Sequence, residues 1–128
     1  MDEKAKFNLK LAKERLTVAK KLLDDDFFID SVNRSYYAIF YCARALVAND
    51  ETDFSKHSAV ISYFRKNYVK TGIFAKKFSD YIGDAFDLRN DGDYTYFVNI
   101  DFEDAETQYN HACEFFDAVN DFLLKQIT

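Results

Sequence analysis

The chain has 128 residues, 48% of them hydrophobic and 18% aromatic, which is enough for one domain with its own core. It has no proline and only three glycines, Gly72, Gly83 and Gly92, so helices joined by short turns are expected rather than a turn-rich β fold. A net charge of -5 argues against a general nucleic-acid coat, and no apolar run approaches the roughly 20 residues that span a membrane.

The charge is unevenly spread. Residues 1–23 carry seven Lys and Arg against three acids, residues 56–77 carry six bases and no acid, and residues 101–128 carry seven acids and one Lys. Residues 1–23 are amphipathic and charged throughout, so no signal peptide is read there and the cytoplasm is the expected address. Opposed basic and acidic helix faces explain this pattern, or a basic stripe that steers RNA or an acidic partner.

The first helix is predicted from about Lys4 to Leu23, because Leu9, Ala12, Leu16, Ala19 and Leu23 recur in steps of three and four. Asp24, Asp25 and Asp26 interrupt it, and Asp26 is the expected cap of the next helix. That second helix, about Phe28 to Ala48, has Val32, Tyr36, Ile39, Ala43 and Leu46 as its main stripe. Tyr37, Phe40 and Val47 widen the apolar arc until the helix belongs at the centre of a bundle. Asp30 stands four residues before Arg34, a spacing that allows an ion pair.

A third helix is predicted from Ser55 or Lys56 to Gly72, with Val60, Phe64 and Tyr68 inward. A fourth runs from about Ala75 to Leu88, with Phe74, Phe78, Ile82, Ala85 and Leu88 inward; Gly83 lies within it, and a close helix contact is one explanation. The fifth runs from Phe102 to about Lys125, capped by Asp101. The sum is an all-α, antiparallel up-and-down bundle of four long helices and one shorter one, a single domain over 1–128. The aromatic excess suggests that a homodimer hides the rest of the apolar surface.

Metal chemistry is disfavoured. His57 and His111 lie on different helices, Cys42 and Cys113 have no CxxC spacing, and neither HExxH nor a Glu-x-x-His pair occurs. Without a Walker loop or a Gly-rich phosphate cradle, no cofactor is expected either. His57 reads as a capping or packing residue and His111 as a surface one. Two features survive. Arg34, Tyr37 and Tyr41 share a face of the second helix. Arg89 is the single base among nine acids between Asp80 and Glu106, and is followed by Asn90, Tyr94 and Tyr96. A cation at a helix end complements the dipole, and the same cation with an amide and tyrosines suits a phosphate.

Three stretches resemble the HEPN (higher eukaryotes and prokaryotes nucleotide-binding) domain family, in its small single-domain branch. They are Asp30 to Leu46; Lys56-His57-Ser58 with Tyr68 to Gly72; and Ala85 to Asn90 leading into Asp93-Tyr94. The likeness spans about residues 5–122. It implies a helical domain whose members include metal-independent ribonucleases with an Arg-polar-x3-His motif, two copies meeting to complete each site. Arg89 and Asn90 match the first two positions, and Tyr94 stands where His belongs. Tyrosine titrates near 10 and histidine near 6.5, so at pH 7 about 0.1% of an ordinary Tyr is ionised and Tyr94 is a poor base. Neighbouring acids would raise its pKa further.

Some relatives pair with a minimal nucleotidyltransferase as a toxin–antitoxin couple, and Tyr96 has the spacing of a Tyr that such a partner adenylylates. The resemblance therefore implies a homodimer binding nucleotide or RNA around Arg34, Tyr37, His57 and Arg89, beside a nucleotidyltransferase partner. An active ribonuclease using Arg89 and Asn90 with Tyr94 or His57, or a non-catalytic interaction module, are the alternatives.

Overall fold

The computed structural model describes residues 1–94 and 99–126, with residues 91–94 described by their backbone path. Its helices are α1 (Glu3–Asp24), α2 (Phe28–Asn49), α3 (His57–Phe64), a π-helical turn (Arg65–Val69), α4 (Lys76–Tyr94) and α5 (Phe102–Lys125). This is the expected all-α bundle, with four long helices and α3 as the short one. Among the described residues, no helix is long and apolar enough to cross a membrane.

Each helix follows from its local pattern. Asp2 caps α1 by accepting from the Lys4 N–H at 2.8 Å, and Ala5, Leu9, Ala12, Leu16, Ala19 and Leu23 form its buried stripe. Asp101 caps α5 in a capping box with Asp104, as the sequence implies. The helix α2 buries most of its circumference and packs against α1, α3, α4 and α5. Its buried Ser31 hydroxyl donates to the Ala19 carbonyl at 2.8 Å, tying α2 to α1 where a dry donor needs a partner. Tyr36, Phe64 and Phe115 are the largest fully buried side chains.

Asp26 does not cap α2. Phe27 takes that position without a side-chain bond, and Asp26 turns the chain with φ 65°. The left-handed conformation is one that Asp tolerates, and it ends α1 within two residues. The third helix is not a uniform run to Gly72. It changes to a π turn at Arg65, with the Lys70 N–H reaching the Arg65 carbonyl at 2.9 Å. In an α-helix residues five apart face different ways. The wider turn lets Tyr63 and Tyr68 both donate to Asp50 Oδ2, at 2.8 and 2.7 Å. These bonds fasten the segment to the C-terminus of α2. Gly72 then reverses the chain with φ 84°.

Two further differences bear on function. The helix α4 does not stop at Leu88; its backbone continues to Tyr94, so Arg89 and Asn90 sit inside the helix. Gly83 does make a close contact, but with a side chain. A Cβ there would stand 2.4 Å from the Arg65 guanidinium, which also donates to the Ser79 hydroxyl and carbonyl at 2.9 and 3.2 Å.

The clash at Gly83 predicts a dependence on background. Gly83→Ala gains about 1 kcal/mol of helix propensity and displaces Arg65, whose bonds contribute about 1 kcal/mol. The single variant should therefore unfold in urea within about 0.5 kcal/mol of wild type. In an Arg65→Ala background the same change should stabilise by about 1 kcal/mol.

Candidate functional site

The centre of the candidate site is where α4 crosses α2. Arg89 reaches across 52 residues of sequence and donates from Nη2 to the Tyr37 hydroxyl at 2.9 Å, and from Nη1 to Asn90 Oδ1 at 3.0 Å. Its guanidinium carbon lies 5.5 and 5.3 Å from the ring centres of Tyr36 and Tyr37. Such a cation over two ring faces is attracted by both, by about 0.5–1 kcal/mol each where water has access. The two tyrosines are adjacent in sequence, and their rings meet edge to face at 5.1 Å.

Behind them stands His57, the first residue of α3. Its Nδ1 is 2.7 Å from the Tyr36 hydroxyl, and its ring stacks on Phe40 at 4.0 Å. The ring also meets Tyr36 and Tyr37, each at 5.9 Å. His57 is therefore a packed residue, as expected, and also a member of the Arg89 cluster. Phe86, one turn before Arg89 on α4, closes the other side of Tyr36 at 5.9 Å.

The electrostatics follow from this geometry. Burial pushes the Tyr36 hydroxyl well above its ordinary value, Arg89 opposing, so it stays protonated. Burial also holds the His57 ring below 6.5, and the positive charges of Arg89 and then Arg44 push it the same way. His57 is therefore neutral at pH 7. His111 is lowered too, by burial, against the opposing charges of Glu114 and Asp84. It is not a plain surface residue. Its ring stacks on Tyr81 at 3.9 Å, and Tyr81 donates to Glu114 at 2.9 Å while Lys77 pairs with the same carboxylate.

A depressed histidine charges more readily when unfolded. Its contribution to stability is thus complete above pH 6.5 and declines as the pH falls through the folded value. An NMR titration should place the His57 midpoint below 6.5, and Arg89→Ala should move it upward. A midpoint unchanged by that substitution would break the link between the two residues.

The structure brings Arg89, Asn90, Tyr37 and His57 together and leaves Arg34 apart. Arg34 is exposed and, among the described residues, has neither an ion pair with Asp30 nor a bond to the cluster. Arg89, not Arg34, is the cation that faces Tyr37. The Tyr94 side chain and the whole of Tyr96 lie outside the described residues. Tyr36 and Phe86 both build the site, although the apolar pattern marks Tyr36 only as core and gives no signal for Phe86. Tyr36 lies three residues before the inward Ile39, so an apolar stripe concealed its polar role. Among the described residues, no three His, Cys, Asp or Glu side chains gather as metal ligands.

Comparison with known proteins places the chain in a family. The HEPN domain model matches residues 5–122. A UPF0332 protein of Thermotoga maritima is 37% identical over 108 residues, which cover 84% of this chain and 82% of that one. "Putative toxin MJ0142" of Methanocaldococcus jannaschii is 34% identical over 95 residues, covering 74% of this chain and 65% of its own length. "Putative toxin MJ0605" of the same organism is 34% identical over 87 residues, again spanning 65% of its length. The chain thus extends over a little less than two thirds of these two relatives. With a family match across nearly its whole length, this chain belongs to the HEPN domain family.

Proposed function

We propose that this chain binds nucleotide or RNA at the Arg89 site, as a homodimer whose two copies complete the site. In this reading it works beside a minimal nucleotidyltransferase in a toxin–antitoxin-like couple. The observation that carries the reading is Arg89 itself. It is an oriented guanidinium held on Tyr36 and Tyr37, with the Asn90 amide beside it, on a helix otherwise rich in acids. A fixed fork of N–H donors matches phosphate oxygens better than a mobile ammonium does. The toxin names of the two M. jannaschii relatives support the couple. Adenylylation of Tyr96 by the partner belongs to the same proposal, with ATP-dependent mass gain at Tyr96 as its readout.

A second reading, a metal-independent ribonuclease, draws on His57. A neutral imidazole one tyrosine away from Arg89 is a better proton acceptor at pH 7 than Tyr94, which holds the motif's third position. Labelled RNA incubated in EDTA with wild type and with Arg89→Ala separates the readings. Retention of intact RNA by wild type alone supports the binding protein. Cleavage by wild type alone supports the ribonuclease. Neither binding nor cleavage by wild type leaves a helical interaction module and defeats both.

A further inference from the structure

A groove of about 330 Å³ opens between α1 and α2, next to the Arg89 site. Lys4, Phe7 and Leu11 line it from α1, spaced three and four residues apart, so they share one face. Tyr41 and Arg44 line it from α2, and Asp53 closes one end. Phe7 is 61% exposed, a large ring turned to solvent at the rim. Tyr41 is half-buried, and its ring lies 6.0 Å from that of Tyr37, the residue that accepts from Arg89. Tyr37, Tyr41 and Arg44 thus form one row along α2 that leads from the Arg89 guanidinium into the groove.

The charge in the groove is arranged for an anion. Arg44 grips Asp53 with two bonds, at 3.3 and 3.1 Å, so this cation and this carboxylate largely cancel. The bond from Arg44 holds the Asp53 carboxyl below its ordinary value, and Lys4 contributes to the same shift, which places its charge near the pair. Lys4 is the charge left over. The α1–α5 groove is also basic and aromatic, but there Lys13 lies 5.3 Å over Phe116 and Lys20 lies 5.8 Å over Tyr109. Those rings are faced by the protein's own cations, whereas no cation of that kind stands over Phe7 or Tyr41 among the described residues.

We infer that this groove is a second nucleotide subsite. It takes the base of a single-stranded RNA nucleotide between Phe7 and Tyr41, with Lys4 beside its phosphate, while a neighbouring phosphate of the same strand lies at Arg89. This inference rests on the reading of the Arg89 site given above. Single-strand binders combine positive charge with aromatic platforms on which successive bases stack; Arg89 and Lys4 supply the charge here, and Tyr41 and Phe7 the platforms.

The test measures binding of AMP and of a labelled 2′-O-methyl adenylate tetranucleotide, which has no free 2′-hydroxyl and so reports binding without cleavage. Phe7→Ala should raise the tetranucleotide Kd about tenfold, and Lys4→Ala should flatten its salt dependence by about one phosphate contact. AMP binding should change in neither variant. If the tetranucleotide binds both variants like wild type while Arg89→Ala still weakens it, the groove is overturned and the Arg89 reading survives. If Arg89→Ala leaves both ligands bound as in wild type, the underlying reading fails. If Phe7→Ala makes a dimer monomeric on sizing and lowers AMP and tetranucleotide binding equally, the groove is a contact between copies, and the subsite is overturned.

Discussion

Arg89→Ala is expected to weaken RNA or nucleotide binding by at least tenfold while leaving the chain folded. Hydrogen bonds to a charged group contribute about 1.5–3 kcal/mol each, and every 1.4 kcal/mol is a factor of ten. The folded state loses less. Arg89 is half-buried, and its partner Tyr37 is itself half-buried, so water can reach the phenol once the guanidinium is gone. The two lost ring contacts together cost about 1–2 kcal/mol, detectable in urea but far from unfolding. Arg89→Lys separates charge from geometry. It keeps the cation and removes the planar fork that reaches Tyr37 and Asn90 together, so it should restore only part of the affinity. Full affinity in Arg89→Lys would mean that a point charge suffices and that the tyrosine platform has no role in orienting it.

The second large effect is on stability. Phe115 is fully buried on α5 and meets Phe64 at 5.1 Å and Phe78 at 5.6 Å, so one ring joins α3, α4 and α5. Phe115→Ala removes the ring and leaves a cavity that three separate helices must collapse to fill. The expected loss is about 3–5 kcal/mol, a large part of the roughly 5–15 kcal/mol that domains possess. Phe7→Ala provides the control. Its ring is mostly in water, so its unfolding free energy in urea should stay within about 0.5 kcal/mol of wild type. A comparable loss in both variants would contradict the assignment of Phe115 to the core and Phe7 to a rim.

The bundle was legible in the sequence where the signal is local. The stripe from Leu9 to Leu23, the wide apolar arc of α2, and Asp101 before Phe102 lie in one stretch of chain each, and α1, α2 and α5 appear where those patterns place them. Sequence and structure part where tertiary contacts decide. The apolar repeat of α4 ends at Leu88, yet its helix continues to Tyr94. Arg89 faces Tyr36 and Tyr37 from within it, an anchorage that no apolar periodicity records. Asp26 had the composition of a cap, but the α1–α2 turn used it for its left-handed backbone.

The same limit governs the site. Arg89 and Asn90 could be read because a lone base among acids is visible in one dimension. The choice between Arg34 and Arg89 as the cation of Tyr37 could not, since one is three residues away and the other fifty-two. The spacing on α2 favoured Arg34, and the packing of α4 placed Arg89 there. His57 was visible as a residue within a matched segment. Its hydrogen bond to Tyr36, and hence its membership of the cluster, depends on α3 docking against α2. His111 read as exposed because its neighbours on α5 are polar; the Tyr81 ring that covers it comes from α4.

The most direct measurement is an NMR titration of the wild-type protein with AMP in EDTA, following the Arg89 side-chain N–H signals and the His57 ring protons. Both sets should shift together and saturate at one Kd, and the His57 shifts should disappear in Arg89→Ala. Saturable AMP binding that moves neither Arg89 nor His57 would contradict a nucleotide site at Arg89, because the nucleotide would then occupy another part of the molecule.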